Sequence, residues 1–120
     1  MTASLIDTSL LIELLKEEMT SLDESRIKAE DPSISIITYA ELCRYFAAAG
    51  KGKEWNEIRA AIAKYHVCPL TPAVAERAAG FYSKLSLADA IIYATAQENG
   101  MTLFTRDRDF HGMKNAVVLK

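Results

Sequence analysis

No apolar run in the 120-residue chain is longer than a few positions, so nothing in it reads as a membrane span. Cysteine is scarce. Cys43 and Cys68 are too few and too isolated for a zinc site or a disulfide framework, and they read as two buried free thiols. With three prolines and five glycines there is no linker, no low-complexity segment and no repeat. The only two histidines, His66 and His111, have no acid–base partner visible in the sequence. An excess of one charge is also missing: 14 Lys and Arg stand against 16 Asp and Glu, a net charge of −2. The chain is therefore no polycation, and any contact with nucleic acid must run through a local basic patch or through bound divalent ions. Its first residues lack the basic start and long apolar stretch of a signal peptide, which leaves the cytoplasm as the expected address.

What is present is an ordinary globular mixture, half hydrophobic and one quarter charged, at a length that suits one domain over residues 1–120. Residues 4–6 form a short apolar strand that breaks at Asp7. Thr8 and Ser9 then open a helix carrying Leu10, Leu11, Leu14 and Leu15. The polar stretch 20–31 reads as a second short helix ended by Pro32. Residues 33–37 read as a β-branched strand, followed from Thr38 by a helix to Ala49 that Gly50 closes. Residues 53–64 form an amphipathic helix with Trp55, Ile58, Ile62 and Tyr65 inward, and 66–68 a brief strand ended by Pro69. Thr71 and Pro72 start a helix expected to reach Lys84; Ser86 starts another, rich in Ala and Ile, ending near Gly100. Strands at 101–104 and 116–119 complete an α/β sandwich of about five short parallel strands flanked by helices. In such folds ligands bind beyond the carboxyl ends of the strands, where the strand order reverses.

The acids gather at those ends. The sequence holds only six Asp, and Asp7, Asp89, Asp107 and Asp109 all sit at a strand exit or in a first helical turn, as does Glu41. Each has an ordinary structural account. Asp7 can open a helix, Thr38-x-x-Glu41 and Ser86-x-x-Asp89 have capping-box spacing, and Asp107 and Asp109 can sit in a solvated turn. Together they point elsewhere, because carboxylates brought to one rim repel unless a cation lies between them. A set of carboxylates without His or Cys suits hard ions such as Mg²⁺ or Mn²⁺. A pair of such ions about 3.5–4 Å apart is suited to phosphodiester hydrolysis.

Leu5-Ile6-Asp7-Thr8-Ser9, Thr38-Tyr39-Ala40-Glu41-Leu42, Leu87-Ala88-Asp89-Ala90-Ile91-Ile92-Tyr93 and Thr102-Leu103-Phe104-Thr105-Arg106-Asp107-Arg108-Asp109-Phe110 resemble, in order, the four motifs of PIN domains. The resemblance is greatest to the VapC-type toxin ribonucleases of toxin–antitoxin pairs and runs from residue 4 to about 119. It implies a PIN-like three-layer sandwich, a Mg²⁺- or Mn²⁺-dependent endoribonuclease, an RNA substrate, a homodimer and inhibition by a cognate antitoxin. Residue by residue, it implies Asp7, Glu41, Asp89 and Asp107 as the catalytic metal-binding acids, with Asp109 as an irregular fifth. Thr8, Ser9 and Thr105 match polar positions beside the site; Ser9 and Thr105 are the supporting candidates.

Among the remaining residues, Arg106 and Arg108 flank the acids and could hold an RNA phosphate, with Lys51 and Lys53 as an extension of that patch. Trp55, Tyr45, Phe46 and Phe81 fit core or interface spacing better than base stacking. Two leucine pairs cover more of the first helix than one buried stripe needs, and the family resemblance implies that part of that stripe receives an antitoxin segment. Three other readings compete. A phospho-accepting receiver needs paired acids after the first strand and a late Lys, and a haloacid-type phosphohydrolase needs Asp-x-Asp where this chain has Asp7 and Ser9. A non-catalytic PIN-like scaffold would have no need of the full acid set.

Overall fold

Leu5 and Ile6 are sequence neighbours, both fully buried, yet they belong to different cores in the computed structural model, which describes residues 3–16, 27 and 32–119. Leu103 and Phe104 divide in the same way. Successive side chains of a strand point to opposite faces, so a strand apolar at every position must be covered on both. These two pairs lie on β1 (Ser4–Ile6) and β4 (Thr102–Thr105), which are the central and adjacent strands of one sheet.

The sheet has five strands, all parallel, in the order β3-β2-β1-β4-β5, with β2 at Pro32–Ser35, β3 at His66–Cys68 and β5 at Ala116–Val118. One face is covered by α1 (Thr8–Leu15), α2 (Ile36–Ala48) and α3 (Gly52–Ile62), through Leu10, Leu11, Leu14, Leu42 and Ile62. Ile27, in a helical turn, belongs to the same core. The other face is covered by α4 (Pro72–Ala79) and α5 (Leu87–Glu98), the latter buried from Ala90 to Ala96. This is the three-layer α/β sandwich expected from the sequence. From β1 the chain builds outward through β2 and β3, then returns to β4 on the other side of β1. The order therefore reverses between β1 and β4.

Several boundaries differ from the sequence reading. The strand expected over 33–37 stops at Ser35, whose hydroxyl accepts the Ile37 N–H at 3.0 Å and starts α2 at Ile36. The neighbouring β3 pairs only with Ser33, Ile34 and Ser35 and is followed by Pro69, which has no N–H, so Ile36 has no ladder to join. The helix expected to reach Lys84 ends at Ala79; beyond Gly80 the chain runs in tight turns that bury Leu85. Gly50 and Gly100, at φ of +67° and +63°, end α2 and α5 in the left-handed conformation that glycine adopts without strain. Cys68 is buried as expected, whereas Cys43 is only partly so. The expected helix over 20–31 lies outside the described residues apart from Ile27. No helix among the described residues is long and apolar enough to cross a membrane.

Candidate metal centre at the reversal of strand order

Asp7 leaves β1 and caps α1; Asp107 lies two residues beyond β4. The two strands are paired in register, Ile6 opposite Phe104, so their exits are side by side. Asp7 is only 5% exposed. Its Oδ1 accepts the Thr8 N–H at 2.8 Å, and its Oδ2 accepts the hydroxyl of fully buried Thr105 at 2.7 Å. The Thr105 oxygen in turn accepts the Asp107 N–H at 2.9 Å. Thr105, one of the two supporting candidates, therefore ties the first acid to the backbone of the fourth. Ser9, the other, is exposed on α1 and forms no side-chain hydrogen bond among the described residues.

Asp89 comes from the first turn of α5, where Ser86 accepts its N–H at 3.2 Å and caps the helix. Asp107 also caps, accepting the Asp109 N–H at 2.9 Å and starting a 3₁₀ turn over Arg108–Phe110. That turn brings Asp109 to the rim: one carboxylate oxygen each from Asp89, Asp107 and Asp109 lie within 4.8 Å of one another. The residue whose role sequence left most open thus sits in the closest group of acids. Glu41 reaches the rim from the second turn of α2, and its Oε1 accepts the Thr8 hydroxyl at 2.7 Å. Thr38, read from sequence as the cap of that helix, is instead inside it and fully buried, 3.0 Å from the Thr8 hydroxyl.

The acids feel one another. Burial is the main cause pushing the Asp7 carboxyl above its ordinary value of 3.8; the Thr105 and Thr8 hydrogen bonds pull it down, and the charges of Asp107 and Glu41 raise it further. Asp89 is raised likewise, first by burial and then by the charges of Asp7, Asp107 and, more weakly, Glu41, with the Ser86 hydroxyl opposing. Four acids from four stretches of chain therefore share one field. The oxygens that approach one another closely enough to share an ion are those of Asp89, Asp107 and Asp109, with Asp7 and Glu41 outside that group. All are carboxylates and neither histidine joins them, so the residues fit a hard divalent cation that would neutralise their repulsion.

The basic residues are less uniform. Arg106 is ion-paired through Nε to Glu13 of α1, a partner that sequence reading did not single out. Arg106, exposed Arg108 and exposed His111 line an open depression of about 540 Å³ with Val118 and Leu119. Lys51 borders a different hollow, an apolar groove between α1, α2 and α3, and Lys53 is exposed on α3. Trp55 packs edge-on to Tyr39 and tilted against Phe46, and Phe81 stands edge-on to Tyr93, so these rings are occupied with one another.

A parallel sheet between two helical layers, with an acidic rim at its strand reversal, defines a three-layer α/β protein. The PIN domain family model matches residues 4–115, and the chain belongs to that family. Among solved structures, it is similar to a chain of a toxin–antitoxin complex from Klebsiella pneumoniae, at 29% identity and a TM-score of 0.79, covering 96% of each chain. It is also similar to a chain of FitAcB from Neisseria gonorrhoeae, at 27% identity and a TM-score of 0.71, covering 88% of each. A DNA-bound VapBC structure from Salmonella typhimurium, 16% identical with a TM-score of 0.78, shares the fold over 97% of this chain and 96% of that one. Comparison with curated proteins gives no significant match.

Proposed function

We propose that this PIN domain is a Mg²⁺- or Mn²⁺-dependent endoribonuclease, the toxin of a type II toxin–antitoxin pair, which hydrolyses RNA phosphodiester bonds. The observation that carries the reading is the carboxylate rim, where the charges of Asp107 and Glu41 act on Asp7 and those of Asp7, Asp107 and Glu41 act on Asp89. The resemblance, at 29% identity, to a chain of a toxin–antitoxin complex supports the toxin assignment.

In this reading Asp7, Glu41, Asp89 and Asp107 hold the cation, with Asp109 completing the outer side beside Asp89 and Asp107. The bound ion supplies Lewis acidity at the phosphate and lowers the pKa of water. The chain's own contribution is placement. Thr105 and the Thr8 amide fix both oxygens of Asp7, and the 3₁₀ turn fixes Asp107 and Asp109. Ser9, exposed two residues after Asp7, offers its hydroxyl to a water or a ribose hydroxyl. Arg108 can hold an RNA phosphate beside the acids, and Arg106 can contribute while braced by Glu13.

The antitoxin is assigned to the groove of about 240 Å³ lined by Ile12, Leu15, Leu42, Phe46 and Ile58. Exposed Tyr82 and Leu87, at 86% and 76%, favour burial against a second copy, in line with a homodimer. The address proposed is the cytoplasm, where RNA is available.

Sequencing RNA ends after induced expression of the chain without its inhibitor, together with a Mn²⁺ titration of the purified protein, tests the reading. New ends at defined sites, absent when Asp7→Asn is expressed, are the expected result. Absence of Mn²⁺ binding near neutral pH would leave a scaffold instead of an enzyme.

A further inference from the structure

Thr8 joins two of the acids from different elements, as Thr105 joins Asp7 to Asp107: its amide donates to Asp7 and its hydroxyl lies 2.7 Å from Glu41 Oε1. The same hydroxyl is 3.0 Å from that of Thr38. A hydroxyl carries one proton, and an ionised carboxylate can only accept. The Thr8 proton therefore goes to Glu41, and the contact with Thr38 is made by the Thr38 proton pointing at the Thr8 oxygen. The direction is fixed along the chain of three: Thr38 donates to Thr8, and Thr8 donates to Glu41.

This direction matters because Glu41 is the least anchored of the four acids. It is exposed, it has a longer and more flexible side chain than Asp, and its charge repels Asp7 and Asp89. Left alone, it would swing toward solvent. Thr38, by contrast, is fully buried in the first turn of α2 and has no freedom to follow it. The buried hydroxyl holds Thr8, and Thr8 holds one oxygen of Glu41, while the other takes no part in this chain of hydrogen bonds. Groups that orient a ligand in this way change metal affinity by about 10–100-fold when removed.

We propose that Thr8, backed by Thr38, is a positioning residue that sets the divalent-cation affinity of the rim by holding Glu41 against its neighbours' repulsion. The inference rests on the metal-dependent reading above. The test is calorimetric titration of Mn²⁺ into the full chain and its Thr8→Val, Thr8→Ser, Thr38→Val and Glu41→Gln variants, with thermal unfolding measured without metal. Thr8→Val keeps the shape and loses the hydroxyl; its Mn²⁺ affinity should fall about 10–100-fold, with its unfolding temperature little changed. Thr8→Ser should stay within about twofold of wild type, and Thr38→Val should weaken binding in the same direction. Combined with Glu41→Gln, Thr8→Val should add little more, since both act on one carboxylate.

Wild-type affinity in Thr8→Val while Glu41→Gln is weakened overturns the inference and leaves the metal reading intact. Equal loss in Thr8→Ser and Thr8→Val overturns it too, because the methyl packing would then be responsible. If Thr8→Val does not fold, unchanged affinity in Thr38→Val decides against it. A wild-type chain that binds no Mn²⁺ removes the metal reading and this inference together.

Discussion

At the scale of one residue, Asp7 is held at a cost to the fold. Its carboxyl is buried beside other acids and its pKa is raised, so the folded chain binds a proton there more readily than the unfolded chain does. Between the unfolded value near 3.8 and the raised folded value, folding takes up a proton. The relative stabilisation is fully present below the unfolded value and is lost as pH rises through the folded one. Near neutral pH and without metal, Asp7 therefore destabilises the protein, and Asp89 acts in the same direction. Asp7→Asn removes that charge in nearly the same shape. The expected outcome is abolished RNA cleavage together with an unfolding temperature equal to or above wild type at pH 7, the gap closing as pH falls toward 4. Melting curves across that range with chelator present provide the measurement. A large loss of stability at pH 7 would show Asp7 to be a structural cap first.

At the scale of the element, the chain shows which signals are local and which are not. The acids were legible because strand exits and helix starts are marked nearby, by Leu5-Ile6 before Asp7, by Ser86 before Asp89 and by Leu103-Phe104 before Asp107. β1, β4 and β5 were legible because each carries apolar residues at consecutive positions. The β2–α2 boundary was not, since Ile36 and Ile37 are β-branched and favour a strand by propensity. What decides it is the shortness of β3, two elements away, and the hydroxyl of Ser35. Removing that hydroxyl leaves the Ile37 N–H without its partner, so Ser35→Ala should cost about 1 kcal/mol. A shift in the urea midpoint with unchanged slope is the expected reading, and no shift would show that another group caps α2. The Glu13–Arg106 pair and the approach of Asp109 to Asp89 were equally hidden, because they join elements far apart in sequence.

At the scale of the whole molecule, a net charge of −2 and an acidic rim mean that the RNA binding proposed above would depend on few cations. Arg108, which follows Asp107 in sequence, is exposed on a depression shared with His111, while Arg106 is already paired with Glu13. Replacing Arg108 with Ala should weaken RNA binding at all sequences alike and reduce the slope of log affinity against log salt by about 0.7. An unchanged slope would place the RNA elsewhere.

The opposite side of the sheet's helical layer carries a different kind of surface. Leu10, Leu11 and Leu14 are spent in the core, but Leu15 and Ile12 turn toward the groove that Leu42, Phe46 and Ile58 complete. Its rim mixes Lys16 and Lys51 with Glu54 and Glu57, the charge pattern of a surface that admits an apolar segment and fixes its direction with polar contacts. Glutamate in place of Leu15 puts a charge into that groove and leaves Leu10, Leu11 and Leu14 in place, although Leu15 itself packs partly against their core. The variant should cleave RNA as wild type does and melt within a few degrees of it, yet bind its antitoxin at least about 100-fold more weakly, since a desolvated unpaired charge at an interface costs several kcal/mol. Co-expression gives the decisive contrast: a cell protected from the wild-type toxin by its antitoxin should lose that protection against Leu15→Glu. Protection that survives the substitution would move the antitoxin to another face of the molecule, and Ile58→Asp, from the facing helix, would have to fail in the same way.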